Sequence, residues 1–347
     1  MEYRRLGRTG VKVSTHCLGA MMFGDWGNTD VDECERIIHK ALDAGINFID
    51  TADVYSSGRS EEIVGKALRG RRDEVVLATK CHGAMGGLNE RGSSRRWIMR
   101  AVEDSLRRLA TDHIDLYQLH RPDFDIGLEE SLGALTDLMH QGKVRYIGSS
   151  TYPAWWIVQS QWVSERRNLQ RFVCEQPPYS IFARAAERDV FEVTQRFGMG
   201  VIVWSPLAGG WLTGKYRRDG KVPQGSRAER AAKQWAGSPV ADRFDMTRPT
   251  NQTKLDKVEE LEAVADKAGL SMTHMAIAFS LAHPAVTSAI IGPRTMDQLD
   301  DLLDGADARL DESTLDAIDE IVEPGGYFEP ADLGWQPPWM SPESRRR

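Results

Sequence analysis

The sequence predicts an α/β fold, a (β/α)8 TIM barrel with an N-terminal β-hairpin and a long loop after the seventh barrel strand. Three observations predict it. Eight short apolar runs alternate with segments whose apolar residues recur every three or four positions, the pattern of strands joined by helices in a parallel sheet. Eight such units in roughly 300 residues match a closed barrel. The competing open, doubly wound sheet would want GxGxxG after its first strand, and the sequence has none there.

In chain order, YRRLGRTGVKVS (3–14) reads as a hairpin with Arg8, Thr9 and Gly10 at its turn, set to plug the barrel's N-terminal end. Strand runs follow at 16–19 (HCLG, the weakest), 46–49 (INFI), 75–78 (VVLA), 114–119 (IDLYQL), 144–147 (VRYI), 171–174 (RFVC), 200–204 (GVIVW) and 287–291 (TSAII). Helical segments lie at 31–44, 60–69, 94–109, 128–140, 153–167, 186–197 and 252–267. Trp97, Ala101, Val102, Leu106 and Leu109 show the helical spacing. Asp30 precedes the first helix, Gly45 follows it, and Gly142 closes the fourth. Residues 206–250 form an unusually long irregular connection, rich in Gly, Pro, Arg and Lys, and such segments in compact domains are functional or disordered. Residues 324–342, rich in Pro and aromatics, read as an ordered cap or a loop. No internal repeat or low-complexity segment is present.

Composition narrows the function. The chain has 347 residues, 41% hydrophobic and 27% charged, enough apolar content for a packed core. A net charge of −7 argues against a general nucleic-acid binder. Arg345 to Arg347 form the only basic run and read as a frayed tail. Cys17, Cys34, Cys81 and Cys174 are widely spread without a CxxC pair, so reduced thiols in a cytoplasmic setting are expected, and no metal site. The N-terminus lacks an apolar signal core, and no run approaches the length of a membrane span.

Side chains just past the C-terminal ends of barrel strands share one pocket. Asp50 and Tyr55 follow the second strand, Lys80 the third and His120 the fourth. Ser149, Ser150 and Thr151 follow the fifth, Gln176 the sixth, and Trp204 and Ser205 the seventh. A tyrosine alone titrates near about 10, too high for an efficient acid at neutral pH. A nearby Lys⁺ favours tyrosinate, an Asp would hold that Lys charged, and a His can orient a carbonyl or assist proton delivery. Taken singly, Asp50 and Lys80 would be an ordinary barrel-end ion pair, Tyr55 a pocket wall and His120 a structural histidine. Their joint appearance at three consecutive strand ends points instead to proton donation onto a carbonyl oxygen. No GxSxG nucleophile elbow is present.

These residues sit in GINFIDTADVY (45–55), LATK (77–80), DLYQLHRPD (115–123), GKVRYIGSS (142–150), EQPPYS (175–180), WSPLAGGWLTGKY (204–216) and IIGPRTMDQL (290–299). Together the stretches resemble the aldo-keto reductase superfamily, in the branch of potassium-channel β subunits and bacterial aldo-keto reductases. The resemblance covers most of the chain. It implies one barrel domain over 1–347, with its core at about 15–305 and a C-terminal cap or tail at 306–347. It implies NADPH-dependent reduction of an aldehyde or ketone, including a keto-sugar or other cyclic carbonyl, with hydride from the nicotinamide. In that scheme Tyr55 is the general acid, Lys80 lowers its pKa, Asp50 pairs with Lys80 and His120 orients the carbonyl.

The resemblance also implies the cofactor contacts. Asp50, Ser150, Thr151 and Gln176 lie at the nicotinamide end, with Thr151 where many members have Asn. Trp204 stacks on the nicotinamide. Ser205, Pro206, Leu207 and Gly209, with Lys215 and Arg227, belong to the long loop that covers the pyrophosphate. Gly292, Arg294 and Gln298 serve the adenosine end, where Arg294 suits a 2′-phosphate and so NADP(H). Leu302 stands where members commonly have Asn, which removes an adenine contact. The substrate-pocket candidates are Met22, Phe23, Tyr55, His82, His120 and Tyr152, with Trp26 and Trp335 as further walls. The alternative function is an NADPH-binding regulatory or interaction subunit with little turnover; His120 speaks against it, because those subunits have Asn at the matching site. The expected partner is a small-molecule carbonyl compound, with no nucleic acid and no membrane. Assembly into a homo-oligomer is left open, and residues 324–342 would either cover the pocket or meet another subunit.

Overall fold

The N-terminal residues form the expected hairpin. In the computed structural model, which describes residues 1–218 and 222–334 together with 337, 339 and 344, β1 (Tyr3–Arg5) pairs antiparallel with β2 (Lys12–Ser14), Tyr3 facing Ser14. Gly7 takes φ +59, and a Cβ there would lie 2.5 Å from the Gly198 carbonyl oxygen, so the turn needs glycine. That close approach presses Leu6, fully buried, against Val13, Cys17, Phe48, Ala78, Leu116, Cys174 and Ile202. The hairpin thus closes the N-terminal end of the barrel.

The chain divides into two compact units, Met1–Pro177 with Val190–Trp204 and Pro284–Asp307, and Pro178–Asp189 with Ser205–His283 and Ala308–Arg347. The first unit holds the barrel. Its strands are β3 (His16–Gly19), β4 (Phe48–Asp50), β5 (Val76–Cys81), β6 (Ile114–Leu119), β7 (Val144–Ser150), β8 (Cys174–Gln176), β9 (Gly200–Val203) and β10 (Ser288–Ile291). They close in the order β10-β3-β4-β5-β6-β7-β8-β9, every neighbouring pair parallel. The connecting helices are α1 (Val31–Asp43), α2 (Arg59–Ala67), α3 (Arg95–Leu109), α4 (Leu128–His140), α5 (Ala154–Arg167) and α6 (Val190–Phe197). The (β/α)8 barrel is therefore the fold of this unit. In α1 the Asp30 side chain accepts from the Asp32 and Glu33 amides at 3.0 Å each, and Cys34, Ile37, Ile38, Ala41 and Leu42 form its buried face.

The second unit contributes α7 (Arg227–Gln234), α8 (Pro239–Asp242), α9 (Pro249–Lys267) and α10 (Met272–Ala282); α11 (Met296–Asp304) returns to the first unit after β10, and α12 (Glu312–Ile321) belongs to the second. Residues 206–250 are thus partly helical. Within 324–342 a 3-10 turn spans Pro330–Leu333, while Trp335 and the Arg345–Arg347 tail fall outside the described residues. Among the described residues no helix is long and apolar enough to cross a membrane, and no cluster of His, Cys, Asp or Glu could hold a metal ion.

The strand period sets up the site. Cys17, Phe48, Ala78, Leu116, Cys174 and Ile202 form one apolar layer inside the barrel. Side chains two residues further along a strand point the same way. Those positions are Gly19, Asp50, Lys80, Gln118, Gln176 and Trp204. An apolar layer is followed directly by a largely polar one.

Candidate active site

The polar layer is a connected network. Lys80, fully buried, pairs with Asp50 Oδ1 and donates to the Thr51 carbonyl at 2.8 Å. Asp50 Oδ2 accepts from Gln176 Nε2 at 2.9 Å and from Gln118 Nε2 at 3.1 Å. Gln176 Nε2 also donates to Gln118 Oε1 at 3.2 Å. Burial works against the Lys80 ammonium, but Asp50 and Tyr55 outweigh it and raise its pKa above the ordinary lysine value. Lys80 is therefore a fixed, charged group at the barrel mouth.

Tyr55 reaches the same point from the loop after β4. Its hydroxyl lies 3.4 Å from Lys80 Nζ. The loop turns sharply because Ser56 and Ser57 adopt left-handed φ values of +48° and +54°. The Ser56 hydroxyl is held by the Trp26 amide at 3.1 Å. The Tyr55 ring packs edge-on against His120, centroids 5.6 Å apart, and lies 5.9 Å from Trp26. Burial, then the positive charges of Arg121 and Lys80, push the His120 pKa well below the ordinary value. Its ring is neutral at pH 7, with one nitrogen able to donate. Asp50, Tyr55, Lys80 and His120 are thus brought together around one spot.

The expected pocket walls differ in accessibility. Trp26, Tyr55, His82 and His120 are partly exposed; Met22 is nearly buried and Phe23 fully so. Tyr152 is 3% exposed, with its ring edge-on to Phe172 at 5.8 Å. Burial lowers the His82 pKa, with Arg121 and Arg91 acting the same way against Asp123.

The expected cofactor residues of the first unit lie at strand ends. Ser150 Oγ and the Thr151 amide both donate to the Gln176 carbonyl, at 2.9 and 3.1 Å. Thr151 takes φ +60. Trp204 follows β9, its indole N–H buried and without a hydrogen-bond partner among the described residues. Beyond β10, Gly292 is exposed with open space where a Cβ would be. The Arg294 amide donates to Gln298 Oε1 at 2.8 Å, and the Arg294 carbonyl accepts from Asn28 Nδ2 at 2.8 Å. Leu302 is buried.

The second unit carries the other expected cofactor residues. Ser205 takes φ +63, and its hydroxyl is buried without a hydrogen-bond partner among the described residues. After Pro206 and Leu207, a 3-10 turn over Ala208–Thr213 contains Gly209 at φ +72 and Gly210 at φ +99. A Cβ on Gly209 would lie 2.8 Å from Phe244 and 3.7 Å from Arg227 Cδ; one on Gly210 would lie 2.7 Å from Lys215 Nζ. Two cations therefore crowd a turn that only glycine can form. That donor set, with the orphaned Ser205 hydroxyl beside it in sequence, fits the diphosphate of a nicotinamide dinucleotide.

Sequence reasoning passed over three residues of this region. Gln118 lies between Leu116 and His120 on one face of β6, and period-two reading of LYQLH would have found it. Glu175, fully buried, accepts from Ser149 Oγ at 2.5 Å and from the Tyr152 amide at 3.0 Å, under the strained Thr151 turn. Arg121 directly follows His120, and a lone arginine after a strand gives no sequence signal.

Comparison with known proteins gives a consistent set of relatives. The Aldo/keto reductase family pattern matches residues 17–323. The chain is 39% identical over 347 residues to "Uncharacterized oxidoreductase YrpG" of Bacillus subtilis (strain 168), covering 96% of this chain and 100% of that protein. It is 36% identical over 349 residues to the versiconal hemiacetal acetate reductase of Aspergillus parasiticus, covering 93% and 98%. It is 35% identical over 331 residues to the "Probable voltage-gated potassium channel subunit beta" of Arabidopsis thaliana, covering 93% and 97%.

Proposed function

The chain belongs to the aldo/keto reductase family, and on that premise we propose that it reduces an aldehyde or ketone to the alcohol with NADPH. The observation that carries this reading is the Tyr55 hydroxyl 3.4 Å from a buried, charged Lys80. Bound NADP(H) would supply a hydride to the carbonyl carbon. Tyr55 then donates its proton to the carbonyl oxygen, so hydride and proton together complete the alcohol. The Lys80 ammonium stabilises the phenolate left behind, and Asp50 with the Thr51 carbonyl fixes the ammonium. Gln118 and Gln176 hold the second Asp50 oxygen, which keeps the carboxylate from turning away. Neutral His120 donates to the same carbonyl oxygen and orients it. Ser150, Thr151, Gln176 and Trp204 are proposed to hold the nicotinamide end. Ser205, Pro206, Leu207, Gly209, Lys215 and Arg227 are proposed for the diphosphate, and Gly292, Arg294 and Gln298 for the adenosine end. The reading takes residues 1–347 as one working domain, since the family pattern runs through both units.

A second reading is an NADPH-binding regulatory subunit with little turnover. The 35% identity to a protein named as a potassium channel subunit favours it. Mixing the protein with 4-nitrobenzaldehyde or methylglyoxal and either NADPH or NADH separates the two, read at the nicotinamide absorbance band. The reductase reading expects aldehyde-dependent oxidation, faster with NADPH than with NADH. Tight NADPH binding with no oxidation would establish the second reading, and a preference for NADH would remove Arg294 as a 2′-phosphate ligand.

A further inference from the structure

We propose that Arg121 is an anion-binding residue of this pocket and that the physiological carbonyl substrate carries a carboxylate. The proposal rests on the carbonyl-reductase reading and names the substrate class for the same site.

Arg121 sits at the end of β6, immediately after His120, and is half-buried. Its Nη1 donates to the His120 carbonyl at 2.6 Å and lies 3.4 Å from Thr151 Oγ1. Its guanidinium carbon is 5.9 Å from the centre of the Trp204 ring. One nitrogen therefore pins the group, and the plane of the side chain is steadied by an aromatic face. Nε and Nη2 make no hydrogen bond to any described residue. That edge of a guanidinium is the one that forms two parallel N–H···O bonds with a carboxylate.

Among the described residues no Asp or Glu lies within ion-pair distance of Arg121. The acidic groups that bear on it are the Tyr55 phenol and then Glu175, whose oxygens already accept from Ser149 and the Tyr152 amide. The other anion of the site, Asp50, is bound by Lys80, Gln118 and Gln176. A cation partly withdrawn from water without a charge partner is destabilised. A substrate carboxylate would supply the missing partner beside His120 and Tyr55, where the carbonyl must sit.

The test uses the 2-, 3- and 4-carboxybenzaldehydes, each against its methyl ester, with saturating NADPH. The acid and ester of each pair share the same ring and aldehyde, so general damage to His120 or to the cofactor site cancels in the ratio of their kcat/KM values. The wild-type protein is expected to favour the acid of at least one pair by about tenfold or more. Arg121→Gln should bring that ratio close to one, and Arg121→Lys should retain an intermediate preference. Calorimetric binding of the corresponding hydroxymethylbenzoate in the presence of NADP⁺ reads the anion site without turnover, and Arg121→Gln should abolish it. Wild-type ratios near one for all three pairs, or ratios that Arg121→Gln leaves unchanged while only NADPH affinity drops, would overturn the proposal. Benzoate binding that depends on Arg121 while no aldehyde is reduced would keep the anion site and remove the reductase reading.

Discussion

At the scale of single residues, one buried cation organises the chemistry. Lys80 is tolerated at zero exposure because Asp50 balances its charge and the Thr51 carbonyl accepts another of its N–H bonds. Two residues past Thr51, Asp53 is the reverse case: it is fully buried, and its side-chain oxygens have no hydrogen-bond partner among the described residues. Burial, then the nearby Glu61 charge, push its pKa to about 8; the Val54 amide and the Arg108 and Lys80 charges pull the other way and do not prevail. Glu61 keeps Arg108 for itself at 2.7 Å. An unfolded aspartate titrates near about 4, so between about 4 and 8 the folded chain holds a proton that the unfolded chain releases. Stability therefore falls as pH rises through that window and levels off above it. Glu175, raised to about 7, adds the same trend over its own window. Asp53→Asn should remove the Asp53 share, so that the drop in Tm from pH 5 to pH 9 is smaller than in the wild type by at least roughly 2 °C. Equal drops would mean that Asp53 is not the buried proton holder.

At the scale of elements, legibility followed periodicity. The barrel strands, α1 to α6 and α9 could be read because their buried faces repeat every two or about 3.6 positions. The run at 171–174 gave the right strand but the wrong bounds, since β8 is Cys174–Gln176 and its end is polar. The helix α10 was not readable: MTHMAIAFSLA is apolar on nearly every side and buried almost throughout, so it shows no stripe. The helices α7 and α8 were hidden by the Gly, Pro and charge content of 206–250. The hairpin was visible from its turn, and its role has a measurable consequence. Leu6 fills the barrel floor at zero exposure, so Leu6→Ala should cost about 2–5 kcal/mol in denaturant unfolding. The folded fraction should keep its aldehyde turnover, because the polar layer is built by other elements. A cost below about 1 kcal/mol would mean that the hairpin does not plug the barrel.

At the scale of the whole molecule, the family and the barrel were legible together because their motifs fall at strand ends in a fixed order. The pattern match over residues 17–323 and the 39% identity to a bacterial oxidoreductase agree with that reading. What sequence could not give was distance. Lys80, Asp50, Gln118 and Gln176 are scattered along the chain, Asp50 and Gln176 being 126 positions apart, and only the closed barrel register brings Lys80 opposite Gln118 and Ser150 opposite Gln176. The central claim is that Tyr55 delivers the proton beside Lys80. Its most direct test is single-turnover oxidation of bound NADPH by 4-nitrobenzaldehyde, comparing the wild type with Tyr55→Phe and measuring NADPH affinity alongside. The rate should fall by at least about a hundredfold while NADPH affinity stays within about threefold. A Tyr55→Phe rate within a few-fold of the wild type, with the cofactor equally well bound, would contradict it.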